Sequence, residues 1–306
     1  GDEIAVAFLH SVVRRAASQP DTVPKEVLKV VCNSLGSPEY FAATLFKHVT
    51  QQLAAELGIR TPVQQTIAST EAALDFARRQ GYPVVLKSDF SWSGTGVKIC
   101  RDERQLVEAL PALLPPKTHP LKSAVRGWLH RDWYPTGFAL SAQQFIQGRP
   151  AMYCLVAVAG EVLAGFAAIP EQTMSITGQS SVVRLVNHRE MAAAASKLIQ
   201  QFDYTGFAGF DFMLDADGQA YFLECNPRPI PVCHLGGLID TDLCAALFTK
   251  MSGKACISSP VLEETLVTFF PQEWHRDPAS HHLLSAHHDV PWDDPELLKA
   301  CIEWQR

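Results

Sequence analysis

The fold is decided by residues 206–228, which read GFAGFDFMLDADGQAYFLECNPR. Two apolar segments flank the turn sequence Asp215-Ala216-Asp217-Gly218, so this stretch predicts an antiparallel hairpin with strands at 209–214 and 219–224. A turn centred between Ala216 and Asp217 places Asp211 opposite Phe222, and Glu224 opposite Gly209. Because successive side chains alternate along a strand, one face is expected to carry Asp211, Met213, Phe222 and Glu224, continued by Asn226 if the strand stays extended.

The acidic residues of this hairpin predict a metal site. Asp211 and Glu224 repel each other in apolar strands unless a cation lies between them, and Asn226 adds an amide oxygen. Oxygen ligands without His or Cys favour Mg²⁺ or Mn²⁺ over zinc, and Mg²⁺ bound in this way keeps positions open for phosphate oxygens. The alternative is that each acid caps or bridges a strand end, but the pairing with Asn226 and Arg228 favours the metal.

A lysine and a glycine loop upstream suggest a phosphate site. Lys87 ends the apolar strand 83–87, and the loop that follows contains Gly94 and Gly96. Backbone N–H groups of a glycine loop approach phosphate oxygens closely, while the lysine supplies charge. The spacing matches neither the P-loop nor the dinucleotide-binding fingerprint, and a hairpin turn with a solvated lysine is the alternative.

The rest of the chain mixes helical and strand patterns. Apolar periodicity predicts helices at 4–17, 38–57, 70–80 and 191–202, and strands at 63–67, 97–100, 142–146 and 181–186. Residues 151–159 and 161–169 are predicted to pair as a second hairpin around Ala159-Gly160.

Together with the segment AQQFIQG at 142–148, these motifs resemble the ATP-grasp superfamily, in the branch of biotin carboxylase and the carbamoyl-phosphate synthetase large chain, over about residues 38–245. The resemblance implies an α+β fold in which a small lid subdomain and a larger antiparallel-sheet C-terminal lobe clasp ATP. The expected parts are an N-terminal helical segment (1–61), the lid (62–146), the C-terminal lobe with the metal hairpin (147–250) and a C-terminal extension packed on the lobe (251–306). The αβ domain that usually precedes this fold is expected to be truncated.

The resemblance also implies roles for individual residues. Phosphate and lid contacts are implied for Lys47, Lys87, Gly94 and Gly96. Adenine contacts are implied for Gln143, Gln144, Phe145 and Ile146, with Met213 and Phe222 as the floor of that pocket. Metal binding falls to Asp211, Glu224 and Asn226, and catalysis to Lys87, Arg184 and Arg228. The chain departs from the family at Gln143 and Gln144, where an acid is common, and at Asp211, where Glu is frequent. Arg184 has a second interpretation, as the partner of a surface carboxylate.

The implied activity is ATP-dependent ligation, in which a carboxylate is activated as an acyl phosphate and attacked by an amine, ammonia or another nucleophile. A small-molecule kinase and a non-catalytic ATP-binding regulatory subunit are the alternatives. Expected cofactors are ATP and Mg²⁺ or Mn²⁺, and expected partners are the small-molecule carboxylate and the nucleophile, with a homodimer left open.

Composition limits the partner classes. The 306 residues carry a net charge of −6 without a basic tract, which argues against nucleic acid and membrane surfaces. Eight cysteines without a CxxC pair predict reduced thiols and a cytoplasmic protein. The pairs His281-His282 and His287-His288 invite a metal interpretation, but such doublets in a Pro- and Asp-rich loop are more often solvated surface. His234, shortly after Arg228, is either a substrate-side residue or a loop histidine bonded to backbone.

Overall fold

The structure is a computed structural model that describes residues 3–19, 22–89, 96–114, 139–175, 178–256 and 265–303. Gly94 of the predicted lid loop lies outside the described residues. The helices are α1 (Glu3–Ser18), α2 (Lys25–Leu35), α3 (Phe41–Leu45), α4 (Lys47–Glu56), α5 (Thr70–Gln80), α6 (Glu103–Leu113), α7 (Arg189–Phe202), α8 (Leu243–Ser252), α9 (Gln272–Arg276), α10 (His282–Ser285) and α11 (Pro295–Glu303). Short 3-10 helices cover Pro38–Tyr40 and Cys233–Ile239.

The strands form two sheets. They are β1 (Gln64–Ile67), β2 (Val84–Ser88), β3 (Val97–Cys100), β4 (Leu140–Gln144), β5 (Arg149–Val158), β6 (Glu161–Thr173), β7 (Ser180–Val186), β8 (Gly206–Leu214), β9 (Ala220–Asn226), β10 (Thr265–Phe269) and β11 (His287–Asp289). In the described residues, a four-stranded sheet has the order β1-β4-β2-β3 and a seven-stranded sheet the order β11-β10-β7-β6-β5-β8-β9. All pairs are antiparallel except β10 with β11, so the predicted α+β class is confirmed.

Local signals explain several elements. Helix α5 has the predicted bounds, because the Ser69 side chain accepts the Ala72 N–H at its start and Gly81, with a φ of 80°, ends it. The β5–β6 hairpin turns at Ala159 and Gly160, whose φ values of 48° and 74° suit a two-residue turn. The helix predicted over 38–57 is wrong as one helix, because Phe46 is extended (φ −98°, ψ 116°) and separates α3 from α4. Lys47 therefore begins a helix.

Both faces of the seven-stranded sheet are covered. One face packs on α7 through a core that includes Phe210, Phe212 and Phe222. The other face packs against the segment after β9 and against α8, through residues such as Cys154, Phe166 and Ile230. The four-stranded sheet has a separate core with α5 and α6, and α1, α2 and α3 share a fourth cluster.

The seven-stranded sheet continues beyond residue 250. Strand β10 pairs with β7, and helix α9 carries Glu273, which is fully buried. The Glu273 carboxylate accepts hydrogen bonds from Ser181 of β7 at 2.7 Å, from Arg276 at 2.6 and 2.7 Å, and from Ser280. This buried group ties the C-terminal residues to the sheet. None of the described helices combines the length and the apolar character that a bilayer crossing requires.

Candidate active site

The hairpin of β8 and β9 brings the predicted metal ligands together. Asp211 lies directly opposite Glu224, and Gly209 lies opposite Asn226. Residues paired directly across an antiparallel ladder share a face, and Asn226 lies two residues from Glu224, so the three side chains share one face. The Asn226 amide donates a hydrogen bond of 3.3 Å to Asp211 Oδ2. The shared face is confirmed, although Asp211 and Glu224 are direct rather than diagonal neighbours.

The predicted register is wrong at Phe222. The ladder shifts between Asp211 and Phe212, so Phe222 pairs with Phe212 and Leu223 is an extra residue in β9. Phe222 is fully buried with its ring centroid 5.7 Å from that of Phe212, on the face opposite Asp211. Phe222 therefore cannot be the floor of a pocket on the metal face. Met213 stays on the Asp211 face, and its cross-strand neighbour there is Tyr221.

Two lysines from different parts of the fold converge on Glu224. Lys87, in β2 of the four-stranded sheet, places Nζ 2.9 Å from Glu224 Oε2, and Lys47, at the start of α4, places Nζ 3.1 Å from the same oxygen. Lys87 also donates to the Leu223 carbonyl at 3.3 Å. The predicted phosphate lysines and metal carboxylates therefore form one cluster where the two sheets meet.

The electrostatics of this cluster are asymmetric. Burial alone raises the pKa of Glu224, but Lys87 and Lys47 outweigh it and hold that pKa well below its usual range. Burial, followed by the Glu224 charge, raises the pKa of Asp211 to about 7, against the smaller opposing effects of Lys87 and Asn226. Asp211 is thus the carboxylate whose charge is poorly offset. A divalent cation with a preference for oxygen ligands fits this donor set, since it supplies the missing positive charge.

Sequence analysis did not identify two residues that support the cluster, Asp89 and Gln51. Asp89, two residues beyond Lys87, is only 4% exposed and accepts the His48 N–H at 3.1 Å and the Ala139 N–H at 3.0 Å. The His48 ring contacts the same carboxylate at 2.7 Å. This carboxylate at the first turn of α4 fixes the helix start, and with it Lys47, beside β2. An acid placed shortly after an apolar strand was the available signal.

Gln51 is the second residue that escaped notice. Its side chain donates to the carbonyls of Phe222 and Leu223 at 2.9 and 2.8 Å. Nothing in the sequence around Gln51 indicates a partner this distant along the chain.

The segment expected to read adenine links the two sheets. Strand β4 of the small sheet ends at Gln144, and β5 of the large sheet begins at Arg149. The Gln143 side chain donates to Gln64 at 3.1 Å, whereas the Gln144 side chain accepts the Val63 N–H at 3.2 Å and its backbone N–H donates to the Val63 carbonyl at 2.8 Å. Both glutamine side chains are therefore bonded to β1 and the residue before it. Phe145 and Ile146 lie just past the strand end.

The two predicted catalytic arginines differ in their placement. Arg228 Nε and Nη2 each lie 2.9 Å from Oε1 of Glu3, which begins α1. Arg228 follows the metal hairpin directly and is thus bound by a carboxylate from the N-terminal helix.

Arg184 is not brought to the cluster. It lies opposite Ile169 on β7, so it shares the sheet face of the Phe210 core rather than that of Asp211, and its Nε donates to Glu171 at 2.7 Å. The three strand spacings between β7 and β8 correspond to roughly 14 Å. The interpretation of Arg184 as the partner of a carboxylate is the one that the geometry supports.

Other sequence candidates lie outside the cluster. The Gly96 carbonyl accepts the Ser88 N–H at 3.0 Å, which closes the base of the loop between β2 and β3. His281 and His282 are adjacent rings with centroids 3.9 Å apart, and His282 is buried. Across the described ranges, no group of three or more His, Cys, Asp or Glu residues is arranged to hold a metal ion. His234 Nε2 contacts Asp289 at 2.9 Å, and this hydrogen bond raises the pKa of His234.

Known proteins resemble part of this chain in sequence. The carbamoyl phosphate synthase large chain of Thermus thermophilus is 28% identical over 189 residues, which cover 58% of this chain and 17% of that protein. A putative urea carboxylase of Emericella nidulans is 25% identical over 198 residues, covering 63% of this chain and 15% of that protein. The chain thus spans about a sixth of the length of these curated relatives.

Solved structures show the same fold. A biotin carboxylase complex from Campylobacter jejuni has a TM-score of 0.60 at 18% identity and covers 85% of this chain and 56% of its own. The biotin carboxylase domain dimer of Hydrogenobacter thermophilus 2-oxoglutarate carboxylase has a TM-score of 0.59 at 18% identity and covers 85% and 55%. The family model for the ATP-grasp domain matches residues 47–231, more than half of the chain. The chain therefore belongs to the ATP-grasp family.

Proposed function

We propose that this chain is an ATP-dependent ligase that phosphorylates a carboxylate and transfers the acyl group to an amine, ammonia or another nucleophile. The observation that carries the proposal is the convergence of Lys47 and Lys87 on Glu224, directly opposite Asp211. Two cations and two carboxylates at the junction of two sheets suit a triphosphate and its metal. One solved structure with this fold contains MgADP, ADP and bicarbonate, and another is a β,γ-ATP complex, which supports the choice of ligand.

The placement of the residues supports a proposed set of nucleotide contacts. Lys47 and Lys87 bind phosphate oxygens, while Asp211, Glu224 and Asn226 hold Mg²⁺. The adenine edge contacts the backbone of Phe145 and Ile146, at the link between the sheets, and Met213 lies on the face that the base covers. Bound Mg²⁺ supplies positive charge that offsets the phosphate oxygens.

The chemical step needs positioning and charge rather than a protein nucleophile. A substrate carboxylate oxygen forms a bond to the γ-phosphorus as the bond from that phosphorus to the β-γ bridging oxygen breaks, which releases ADP. The nucleophile then attacks the acyl carbon, loses a proton and displaces inorganic phosphate. Arg228, next to the metal hairpin, is the residue suited to the carboxylate and the acyl phosphate, because a guanidinium binds planar anions through two N–H groups.

ADP release against a panel of amino acids and small carboxylates tests the proposal. With a productive acid, added hydroxylamine is expected to yield a hydroxamate, which forms only if an acyl phosphate is made. Lys87→Met should abolish ADP release, whereas Lys98→Met, at an exposed position on the neighbouring strand β3, should leave it unchanged. ADP release without hydroxamate would instead indicate a kinase. Tight nucleotide binding with no ADP release across the panel would contradict catalysis altogether.

The homodimer stays a prediction. The biotin carboxylase domain of Hydrogenobacter thermophilus is a dimer, and sedimentation of this chain would measure whether it associates in the same way.

A further inference from the structure

The metal hairpin depends on one extra residue in β9. Phe222 pairs with Phe212, whereas the next pair on the ladder is Asp211 with Glu224, so Leu223 has no partner in β8. Such a bulge interrupts the ladder hydrogen bonds and leaves backbone groups that need other partners. Continuing the ladder without the bulge would place Leu223 opposite Asp211 and Glu224 opposite Phe210. A one-residue shift moves every later side chain to the other face, so Glu224 and Asn226 would leave the face of Asp211.

Gln51 supplies the missing partners of the bulge. Its amide nitrogen lies 2.9 Å from the Phe222 carbonyl and 2.8 Å from the Leu223 carbonyl. Because both neighbours are acceptors, only the NH₂ group of the amide can face them, which fixes the amide orientation. Gln51 is 3% exposed, so its amide is shielded from solvent where it meets these carbonyls. Gln51 also lies one helical turn after Lys47 on α4, and the Leu223 carbonyl accepts from Lys87 as well.

The free-energy cost of burying the Gln51 amide oxygen argues against a role in packing alone. The Gln51 amide oxygen is buried and has no hydrogen-bond partner among the described residues. A buried acceptor without a partner destabilises a fold, and leucine at the same position would avoid that penalty. The gain from glutamine therefore lies in its two donated hydrogen bonds.

We propose that Gln51 is a positioning residue that holds the bulge at Leu223 and thereby keeps Glu224 opposite Asp211. Its consequence for metal binding rests on the proposed function. Removing a residue that orients metal ligands weakens metal affinity by about 10- to 100-fold, and we expect an effect of that size.

The test compares Gln51→Leu with Gln52→Leu. Gln52 is the next residue of the same helix and is exposed, and among the described residues its side chain donates a hydrogen bond to Glu56 at 3.0 Å. Gln52→Leu is therefore the same substitution as Gln51→Leu, at a position that does not contact β9. Binding of Mn²⁺ is measured from the free-ion electron paramagnetic resonance signal in the presence of a non-hydrolysable ATP analogue. Hydrogen–deuterium exchange of the β9 amides is measured separately in metal-free protein.

Gln51→Leu is expected to raise the Mn²⁺ dissociation constant by about 10- to 100-fold and to speed exchange at Leu223–Asn226. Gln52→Leu should match the wild-type protein in both measurements. Equal Mn²⁺ affinity and equal exchange in the two variants would overturn the proposal. If the wild-type protein binds no Mn²⁺ with the analogue, the proposed function fails, while the exchange comparison still decides the role of Gln51.

Two further measurements test the proposal if Gln51→Leu does not fold. Gln51→Asn keeps the amide but is one methylene too short to reach both carbonyls, so the same loss of Mn²⁺ affinity is expected. In wild-type protein, the Gln51 side-chain NH₂ should exchange slowly with solvent and show scalar coupling across its hydrogen bonds to the two carbonyls. A rapidly exchanging NH₂ group would contradict the proposal without any variant.

Discussion

Glu224 should inhibit nucleotide binding when no metal is present. It occupies both lysines expected to bind phosphates, at 2.9 Å from Lys87 and 3.1 Å from Lys47. A metal-free nucleotide must displace this carboxylate, because the two anions compete for the same donors. We therefore predict that Glu224→Gln tightens metal-free binding of ATP while it removes the enhancement by Mg²⁺. Loss of a metal ligand explains the second effect, and release of the lysines explains the first.

The magnitude follows from the exposure of the three groups. Side-chain exposures are 19% for Glu224, 16% for Lys47 and 8% for Lys87, so the ion pairs are partly screened by solvent. A charge-assisted hydrogen bond contributes about 1.5–3 kcal/mol, and the neutral amide retains part of it. A net release of about 1–2 kcal/mol corresponds to roughly 5- to 30-fold tighter metal-free binding.

The assay is a fluorescence titration with an ATP analogue, in EDTA and at saturating Mg²⁺. Glu161→Gln is the matched control, since Glu161 also pairs with a lysine, Lys250 at 2.8 Å, on the exposed surface of the β6 end. The control should match wild-type binding in both conditions. If Glu224→Gln weakens metal-free binding, or if Mg²⁺ still enhances binding to the variant as in wild type, the assignment of Glu224 as both lysine partner and metal ligand is refuted.

Three further predictions concern ionisable groups that are buried or ion-paired. His10 is fully buried, and burial lowers its pKa to about 3. The free energy of unfolding should therefore fall by about 1.4 kcal/mol per pH unit as the pH drops from 6.5 towards 3. Urea unfolding of His10→Phe should show a smaller loss over the same pH range. Glu3→Gln, by releasing Arg228, should lower KM for the substrate carboxylate severalfold at unchanged kcat, measured by ADP release. Glu273→Gln should lower the unfolding free energy by about 3 kcal/mol at neutral pH. Burial raises the pKa of Glu273, but Arg276, Ser280 and Ser181 outweigh it and hold that pKa at about 2. The difference between variant and wild type should therefore shrink as the pH falls below 4.5.

Exposed residues of the same types are the controls for these three variants. Each control changes an exposed residue. His275→Phe should leave the pH dependence of stability unchanged, Glu26→Gln the KM, and Glu296→Gln the unfolding free energy. A pH dependence that survives in His10→Phe contradicts the assignment of acid sensitivity to His10. An unaltered KM in Glu3→Gln shows that Arg228 does not bind the substrate. An unfolding free energy of Glu273→Gln that equals wild type shows that its buried hydrogen bonds contribute nothing net.

Local patterns predicted the parts of the fold that depend on near neighbours. Helix α5 has a side-chain cap at one end and a glycine at the other, and the β5–β6 and β8–β9 hairpins have turn residues that fix their ends. The hydrophobic period also predicted α7, although two residues shorter, since its buried residues recur at helical spacing. Each of these signals lies within a few residues of the feature it determines.

Features that depend on distant contacts were not predictable in this way. The break at Phe46 has no glycine or proline to mark it, and its effect is to let α4 begin at Lys47, where Asp89 accepts the His48 N–H. The contact between Arg228 and Glu3 joins residues 225 positions apart. Arg184 was assigned to the site from its order in the chain, but order does not specify the face of a strand, and the register places it on the other side of the sheet.

The hairpin itself shows why a local pattern can bring the predicted ligands to one face and still give the wrong neighbour. Turn residues fix where a hairpin reverses, and an undisturbed ladder then fixes every pair, so a bulge cannot be inferred from alternation alone. Here the bulge at Leu223 is stabilised by donors from Gln51 and Lys87, which are 172 and 136 residues away. The same distant elements supply the cations that offset Glu224. We infer that the geometry of the predicted metal face is imposed by α4 and the small sheet docking on β9, so a change at Gln51, where α4 contacts β9, should alter metal affinity without touching a predicted ligand.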